Sequence, residues 1–165
     1  MSLWMKQKVF SWVARFTIRD DAGNDRYAVE GEFLSLGRRL HLLDAGGNEA
    51  AYIEQKLLTF LPRFLVYRGG VAVAEIVREF TLFRPSYRIE GPDWTVDGDF
   101  FAHDYAILQG GRTIASITKE WFAWGDSYRL DVAPDADEVL AVAVVLAIDA
   151  VMDQRSHSAA ISAGT

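Results

Sequence analysis

The 165-residue sequence contains no cysteine and only four prolines. The lack of cysteine excludes disulfides, thiolate metal sites and cysteine nucleophiles, and it fits a reducing compartment. Basic side chains are also in the minority, with 17 lysines and arginines against 23 aspartates and glutamates, which gives a net charge of −6. No general positive field draws such a protein to nucleic acid or to an anionic membrane, so any such binding must be local and a nucleic-acid partner is not expected.

The sequence also has no apolar run that is long enough to cross a membrane. Its longest run, Val139–Ile148, has ten residues, whereas a spanning helix needs about 20. The first residues carry no apolar stretch after a positive charge, so they do not resemble a secretory signal or a transit peptide. We therefore expect a cytoplasmic protein without a transmembrane span. The second methionine, Met5, suggests that Met1–Leu3 are a cloning remnant.

What the sequence does contain is an internal repeat. Residues 69–89 match residues 110–130 without a gap and with eight identities, two glycines and a Ser-Tyr-Arg triplet among them. Weaker copies begin at Gly46 and at Gly23. Because glycine pairs supply the positive φ angles of tight turns, each unit predicts a β-hairpin.

The same pattern of apolar runs and turn residues predicts about twelve short antiparallel strands. They are expected near residues 6–11, 14–19, 26–35, 39–43, 50–59, 63–68, 71–81, 86–90, 94–97, 100–109, 112–122 and 127–132. So many short strands indicate a sandwich or a barrel, and closure into a barrel removes exposed sheet edges. The predicted fold class is therefore mainly β (α+β), a closed antiparallel barrel in one domain over residues 1–165.

The C-terminal segment predicts a helix from about residue 135 to 153, followed by a flexible tail over 154–165. Proline and acidic residues at 134–138 are typical of a helix start, and the run Val139–Ile148 has no polar residue. A helix that is apolar on every side must be surrounded by protein or lipid. A central helix inside the barrel is favoured over a membrane-inserting segment because the run is short.

Several short motifs resemble the LURP-one-related family, and in particular its short bacterial members of the YxjI type. The resemblance covers nearly the whole chain and is carried by Lys6–Ser11, Phe16–Asp20, Gly31–Phe33, Ile53–Lys56 and Lys119–Trp121. The family is similar to tubby C-terminal domains and to phospholipid scramblases. This resemblance implies a barrel of about twelve strands around a central hydrophobic helix, and by analogy it implies binding of a phospholipid headgroup.

The sequence offers little for catalysis or for metal binding. His41, His103 and His157 share no close spacing, no Gly-x-Ser-x-Gly turn is present, and the glycine pairs do not belong to a phosphate-binding loop. Glu79 and Glu120 occupy equivalent repeat positions, which favours a cross-strand ion pair over an acid–base pair. We therefore expect a protein that is not an enzyme and has neither a cofactor nor a metal ion.

The best material for a binding site is a set of strand cations. Alternating strand geometry could bring several of them to one face, where they would bind a phosphate. The predicted anion patch consists of Lys56, Arg78, Arg88, Lys119 and Arg129. Arg63 and Arg84 could add to it. We favour the alternative that these are solvated side chains whose aliphatic parts cover apolar strands. Trp121, Phe122, Trp124, Phe80 and Phe83 are expected in the core, although they could also enter a membrane interface.

The leading hypothesis is a tubby-like domain that binds an anionic ligand, such as a phospholipid headgroup, at the membrane surface. A protein-interaction module without lipid binding is the first alternative. The second alternative is scramblase-like membrane insertion of residues 139–152.

Overall fold

A closed antiparallel β-barrel surrounds one helix. The computed structural model describes residues 1–6, 15–32, 36–79, 86–100, 102–122 and 125–162. Over these residues the strands are β1 (Ser2–Lys6), β2 (Phe16–Asp20), β3 (Asp25–Gly31), β4 (Arg39–Asp44), β5 (Glu49–Lys56), β6 (Arg63–Arg68), β7 (Val71–Glu79), β8 (Ser86–Glu90), β9 (Trp94–Asp99), β10 (Asp104–Gln109), β11 (Arg112–Phe122) and β12 (Gly125–Val132). Each strand pairs with the next, and β1 pairs with β12 to close the barrel. The predicted fold class is confirmed.

The first strand differs from its prediction and closes the barrel. We expected a strand at 6–11 and a remnant at 1–3, whereas β1 spans Ser2–Lys6 and pairs with both β12 and β2. Leu3 lies opposite Leu130 and is fully buried. Residues 7–14, which include most of the predicted first strand, lie outside the described part of the chain.

The strands follow the alternation that a barrel requires. In β6, Phe64 and Val66 are fully buried while Leu65 and Tyr67 are only partly covered. In β8, Tyr87 and Ile89 are buried while Arg88 between them is exposed. Because successive side chains of a strand point to opposite faces, one apolar set fills the interior and the other faces outward.

The repeat corresponds to hairpins, as predicted. Both residues of each glycine pair have positive φ, 55° and 78° at Gly69 and Gly70 and 57° and 81° at Gly110 and Gly111. In the two weaker copies an aspartate before the glycine organises the turn. The Asp44 carboxylate accepts hydrogen bonds from the amides of Gly46 and Asn48, at 2.8 and 2.9 Å. An Asx turn at Asp44 and at Asp20 therefore supports the turn in these copies, together with a glycine at positive φ, Gly47 and Gly23.

The helix α1 spans Glu138–Ser162 and runs through the barrel. From Leu140 to Val151 every side chain is buried, which confirms the central helix. It begins three residues later than predicted because the Asp137 carboxylate accepts a hydrogen bond from the amide of Leu140 and caps it. It also continues through Ser162, so residues 154–162 of the predicted flexible tail are helical.

The two ends of the barrel contain different helix contacts and different loops. At the entry end, where α1 begins, Tyr27 and Arg68 contact Glu138 and Asp137 respectively, and the 69–70 turn lies beside them. At the exit end, Arg38 donates a hydrogen bond to the carbonyl of Ala150. Since consecutive strands are antiparallel, residues 57–62 and 102–103 also lie at the exit end.

Candidate functional site at the exit end of the barrel

Three cations of the predicted anion patch lie on the outer wall beside acidic side chains. Lys56 Nζ is 3.5 Å from Glu75 Oε1, Arg88 Nη2 is 2.8 Å from Glu90 Oε1, and Arg129 Nε is 2.8 Å from Asp131 Oδ2. Such exposed pairs contribute little to stability, on the order of 0–1 kcal/mol each. They do, however, offset the positive charge that an anionic ligand would meet.

The barrel does not bring the five predicted cations to one face. Arg88 on β8 and Arg129 on β12 are four strand spacings apart, or roughly 19 Å along the wall at the usual strand spacing. Arg78 and Lys119 instead lie opposite the buried Tyr87 and Tyr128, so they occupy inner-face positions. One phosphate cannot contact both Arg88 and Arg129, and the binding role of the five cations stays a prediction.

Glu79 and Glu120 form the cross-strand ion pairs that the repeat predicted. Arg88 Nε is 3.7 Å from Glu79 Oε1, and Arg129 Nη1 is 3.3 Å from Glu120 Oε1. The two pairs occupy equivalent positions of the repeat and join neighbouring strands. A structural role therefore accounts for both glutamates.

A group of apolar side chains projects into solvent at the exit end. Leu58 and Phe60 are 107% and 97% exposed, Leu36 is 83% exposed and Leu57 is 50% exposed. We call these four residues the apolar rim. Scattered exposed leucines are ordinary on a protein surface, whereas a cluster is typical of a surface that binds something.

The two loops that carry the apolar rim are held side by side. The amide of Gln55 donates to the carbonyl of Arg38 at 2.8 Å, and the Gln55 side chain accepts from the amide of Arg38 at 3.2 Å. Gly37 has a φ of 88°, and a Cβ at this position would lie 2.9 Å from Leu57 Cδ2. Leu36 and Leu57 therefore belong to one continuous surface.

Leu58 adopts a backbone conformation that is unusual for its residue type. Its φ is 59°, in the left-handed region, which costs an ordinary L-residue roughly 1–2 kcal/mol. No burial of its side chain compensates for this cost. Local strain of this kind concentrates at binding sites and switch regions.

Two cations flank the 57–60 segment of the apolar rim along the chain. Lys56 precedes it and Arg63 follows it, and both contact Glu75 Oε1, at 3.5 and 3.2 Å. The Arg38 guanidinium reaches inward instead, to the carbonyl of Ala150 at 2.8 Å. The exit end thus combines exposed apolar side chains with two cations that share one carboxylate, in a chain that is acidic overall.

The exit end also contains a buried carboxyl group, that of Asp149. Asp149 of α1 is 5% exposed, and His103 Nε2 is 3.7 Å from its Oδ1. Burial raises the pKa of Asp149 well above its usual range. The Tyr105 hydroxyl is also buried, and neither it nor Asp149 Oδ1 has a hydrogen-bond partner among the described residues.

On the outer wall, His41 lies between two glutamates. Its Nδ1 is 2.6 Å from Glu49 Oε2 and its Nε2 is 3.1 Å from Glu32 Oε1. Burial lowers the pKa of His41, but the hydrogen bonds to Glu49 and Glu32 outweigh it and the pKa is raised. The two carboxylates approach opposite edges of the ring, and over the described ranges no group of three or more potential ligands could hold a metal ion.

Sequence reasoning missed both the apolar rim and the buried carboxyl group of Asp149. The apolar residues at 57–60 were assigned in part to a strand over 50–59, whereas β5 ends at Lys56. Pro62 was the available signal for a loop, because residues 57–61 are apolar apart from Thr59. The aromatic candidates Phe80, Phe83 and Trp124, and the side chains of Trp121 and Phe122, lie outside what the structure describes, as does Arg84.

No helix in the described part of the chain has the length and apolar character needed to cross a bilayer.

Comparisons with known proteins agree with the sequence resemblance. The sequence profile of the family described as LURP-one-related matches residues 1–149. An uncharacterised Bacillus subtilis protein, YxjI, is 36% identical over 152 residues, which cover 92% of this chain and 94% of that protein. A crystal structure of an Arabidopsis thaliana protein shares the fold, with a TM-score of 0.64 and 18% identity over 91% of this chain and 90% of the other. None of these descriptions indicates a catalytic activity. This chain belongs to the LURP-one-related family.

Proposed function

We propose that this protein is a non-enzymatic module that docks reversibly on an anionic phospholipid surface in the cytoplasm, with the exit end of its barrel facing the membrane. The single observation that carries the proposal is the apolar rim. Leu58 and Phe60 project almost fully into solvent from one loop, and Leu36 projects from its neighbour. The anionic ligand that the sequence suggested is then the headgroup layer itself.

The energetic scale fits reversible binding. Moving a leucine or phenylalanine side chain from water to an apolar phase is favourable by roughly 1.5–3 kcal/mol. A cation near an anionic surface adds about 1 kcal/mol, and Lys56 and Arg63 stand on either side of the loop. A few such contributions give stable but reversible attachment, in the way that interfacial anchors bind.

The form of the apolar rim favours a membrane over a protein partner. Its most exposed members are single side chains on loop tips, which can enter a fluid interface without a shaped counterpart. A protein interface instead requires a buried apolar centre surrounded by a polar ring. Attraction to anionic lipid is also local, as a chain with a net charge of −6 requires.

Vesicle co-sedimentation tests the proposal with a matched pair of variants. Leu58→Ser combined with Phe60→Ser removes the two most exposed side chains of the apolar rim. The control Val71→Ser alters an apolar side chain that is 65% exposed at the entry end. Wild-type protein should bind vesicles that contain phosphatidylglycerol at physiological salt. The double variant should bind at least about tenfold more weakly, because two side chains no longer enter the apolar phase. Val71→Ser should bind like wild type.

Two further arms separate the alternatives. Arg88→Ala combined with Arg129→Ala tests the predicted strand cations, and unchanged binding excludes them as headgroup ligands. Equal binding by the loop variant and wild type would overturn the membrane-docking proposal. Absence of wild-type binding to every vesicle would do the same and would favour the protein-interaction module.

A further inference from the structure

The exit end contains three polar side chains that are not part of the docking surface. Asp149 is the one buried residue with a chargeable carboxyl group among those that the structure describes in full, and it interrupts an otherwise apolar stretch of α1. His103 reaches it from the turn between β9 and β10, with Nε2 3.7 Å from Oδ1. That separation is too long for a hydrogen bond. The Tyr105 hydroxyl is buried without a described partner.

We propose that Asp149, His103 and Tyr105 form a proton-sensitive lock on the exit end of the central helix, and that this lock regulates membrane docking. The inference rests on the proposed function, since the regulated surface is the apolar rim. In this account Asp149 is protonated while the C-terminal end of the buried helix segment is packed inside the barrel, which we call the seated state. Deprotonation of Asp149 favours an opened state, in which this end of the helix detaches from the barrel.

The charged and titratable groups around Asp149 are few. His103 lies above it, and the Tyr105, Tyr87 and Tyr128 phenols face the same interior from β10, β8 and β12. Arg38 approaches the next residue of the helix, at the carbonyl of Ala150. Arg78 and Lys119 occupy inner-face positions of β7 and β11.

His103 provides the connection between this cluster and solvent. Its side chain is 22% exposed, whereas that of Asp149 is 4% exposed. The imidazole packs against Tyr128, with ring centroids 4.4 Å apart, and the backbone at His103 has a φ of 53°. A left-handed conformation at a histidine that bridges the surface and a buried acid is a local strain that marks a functional candidate.

The direction of the pH response follows from the burial of the carboxyl group. An ionised Asp149 would be a desolvated charge, so opening the helix end to water favours the ionised form. Opening therefore releases a proton. By linkage, the opening equilibrium rises up to about tenfold per pH unit between the pKa of the opened state and that of the seated state.

The lock is connected to the docking surface through Arg38. Its guanidinium binds the carbonyl of Ala150, directly after Asp149, and its backbone is bonded to Gln55 between the two rim loops. Release of the helix end would break this hydrogen bond and expose the buried Ile148 and Val151. Newly exposed apolar side chains favour insertion into a membrane interface, so docking should strengthen as the pH rises.

Hydrogen exchange on the full chain tests the lock without requiring docking. In wild type, the opening constant of the helix segment around Asp149, corrected for intrinsic exchange, should rise by up to about tenfold per unit as the pH increases above about 4, the ordinary pKa of an exposed aspartate. Asp149→Asn, which keeps the shape and removes the proton, should abolish this slope. His103→Asn, which suits a positive φ, should retain it because Asp149 carries the proton.

Vesicle binding by the same proteins completes the test, with phosphatidylglycerol as the anionic lipid over the same pH range. Wild-type affinity should rise with pH, and that of Asp149→Asn should not. A flat exchange profile in wild type, or an equal slope in Asp149→Asn, would overturn the lock. Binding that is present but independent of pH would overturn its regulatory role. An exchange slope without binding at any pH would support the lock and remove the proposed function instead.

Discussion

At the scale of single residues, Leu58 is where stability and function oppose each other most clearly. It has a φ of 59° and a fully exposed side chain, so the fold gains nothing from a leucine there. Leu58→Asn should leave the free energy of unfolding unchanged or raise it by up to about 1 kcal/mol, because asparagine tolerates the left-handed region. The same variant should bind anionic vesicles more weakly. Urea unfolding and co-sedimentation of one preparation measure both, and a loss of stability with unchanged binding would contradict the prediction.

His41 predicts a pH dependence of stability. Its pKa is raised in the folded state by Glu49 and Glu32 despite partial burial, so the folded state holds the imidazole proton more tightly than the unfolded chain. The stabilisation is fully present below about pH 6.5 and is lost as the pH rises through the folded pKa. The difference in unfolding free energy between wild type and His41→Gln should therefore shrink between mildly acidic and alkaline pH. A difference that is independent of pH would contradict this.

Individual site residues were the hardest to predict. The paired glutamates Glu79 and Glu120 were interpreted correctly because the repeat exposed their equivalence. Asp149 was seen only as the end of an apolar run, because its burial depends on strands that are distant in sequence. Leu58 and Phe60 were missed because an apolar residue in a loop cannot be distinguished from one in a strand until the end of the strand is known.

At the scale of elements, the start of α1 depends on Asp137. Its Oδ1 accepts from the amide of Leu140 at 3.1 Å, and its Oδ2 accepts from Arg68 at 2.5 Å. Asp137→Ala should lower the free energy of unfolding by about 1 kcal/mol, the usual loss for an N-cap. Asp137→Asn is the matched control, since it keeps the cap and removes the charge. Equal losses in chemical denaturation would assign the effect to the Arg68 ion pair instead.

The elements themselves were largely predictable, and their boundaries less so. Alternation and glycine turns located most strands, since both signals are local. The helix end was misplaced because residues 154–162 contain several polar residues and do not continue the apolar run that predicted the helix. The helix start was misplaced because proline and acids at 134–137 allow several caps, and Asp137 is the one that bonds to the helix.

At the scale of the whole molecule, barrel closure depends on β1. This strand joins β12 to β2, and Leu3 within it is fully buried. Leu3→Ala should lower the free energy of unfolding by about 2–5 kcal/mol, through lost burial and the resulting cavity. Leu36→Ala should have little effect, because Leu36 is exposed. Thermal unfolding of both variants checks this, and a small loss at Leu3 would mean that the barrel holds without β1.

The architecture was predicted better than the site. Repeated hairpins and a short helix that is apolar on all sides favour a sheet that encloses the helix. The exit end, by contrast, is assembled from loops and a helix terminus that only the closed barrel brings together. Its combination of apolar tips, cations and a buried acid therefore could not be inferred from order along the chain.

The most direct test of membrane docking uses the absence of cysteine from the chain. A single cysteine, introduced as Phe60→Cys at the exit end or as Val71→Cys at the entry end, is labelled with a polarity-sensitive fluorophore. On addition of phosphatidylglycerol vesicles, the label at position 60 should shift to shorter wavelength, as it enters an apolar layer, while the label at 71 stays unchanged. A shift at 71 alone, or vesicle binding without a shift at 60, would contradict docking through the exit end.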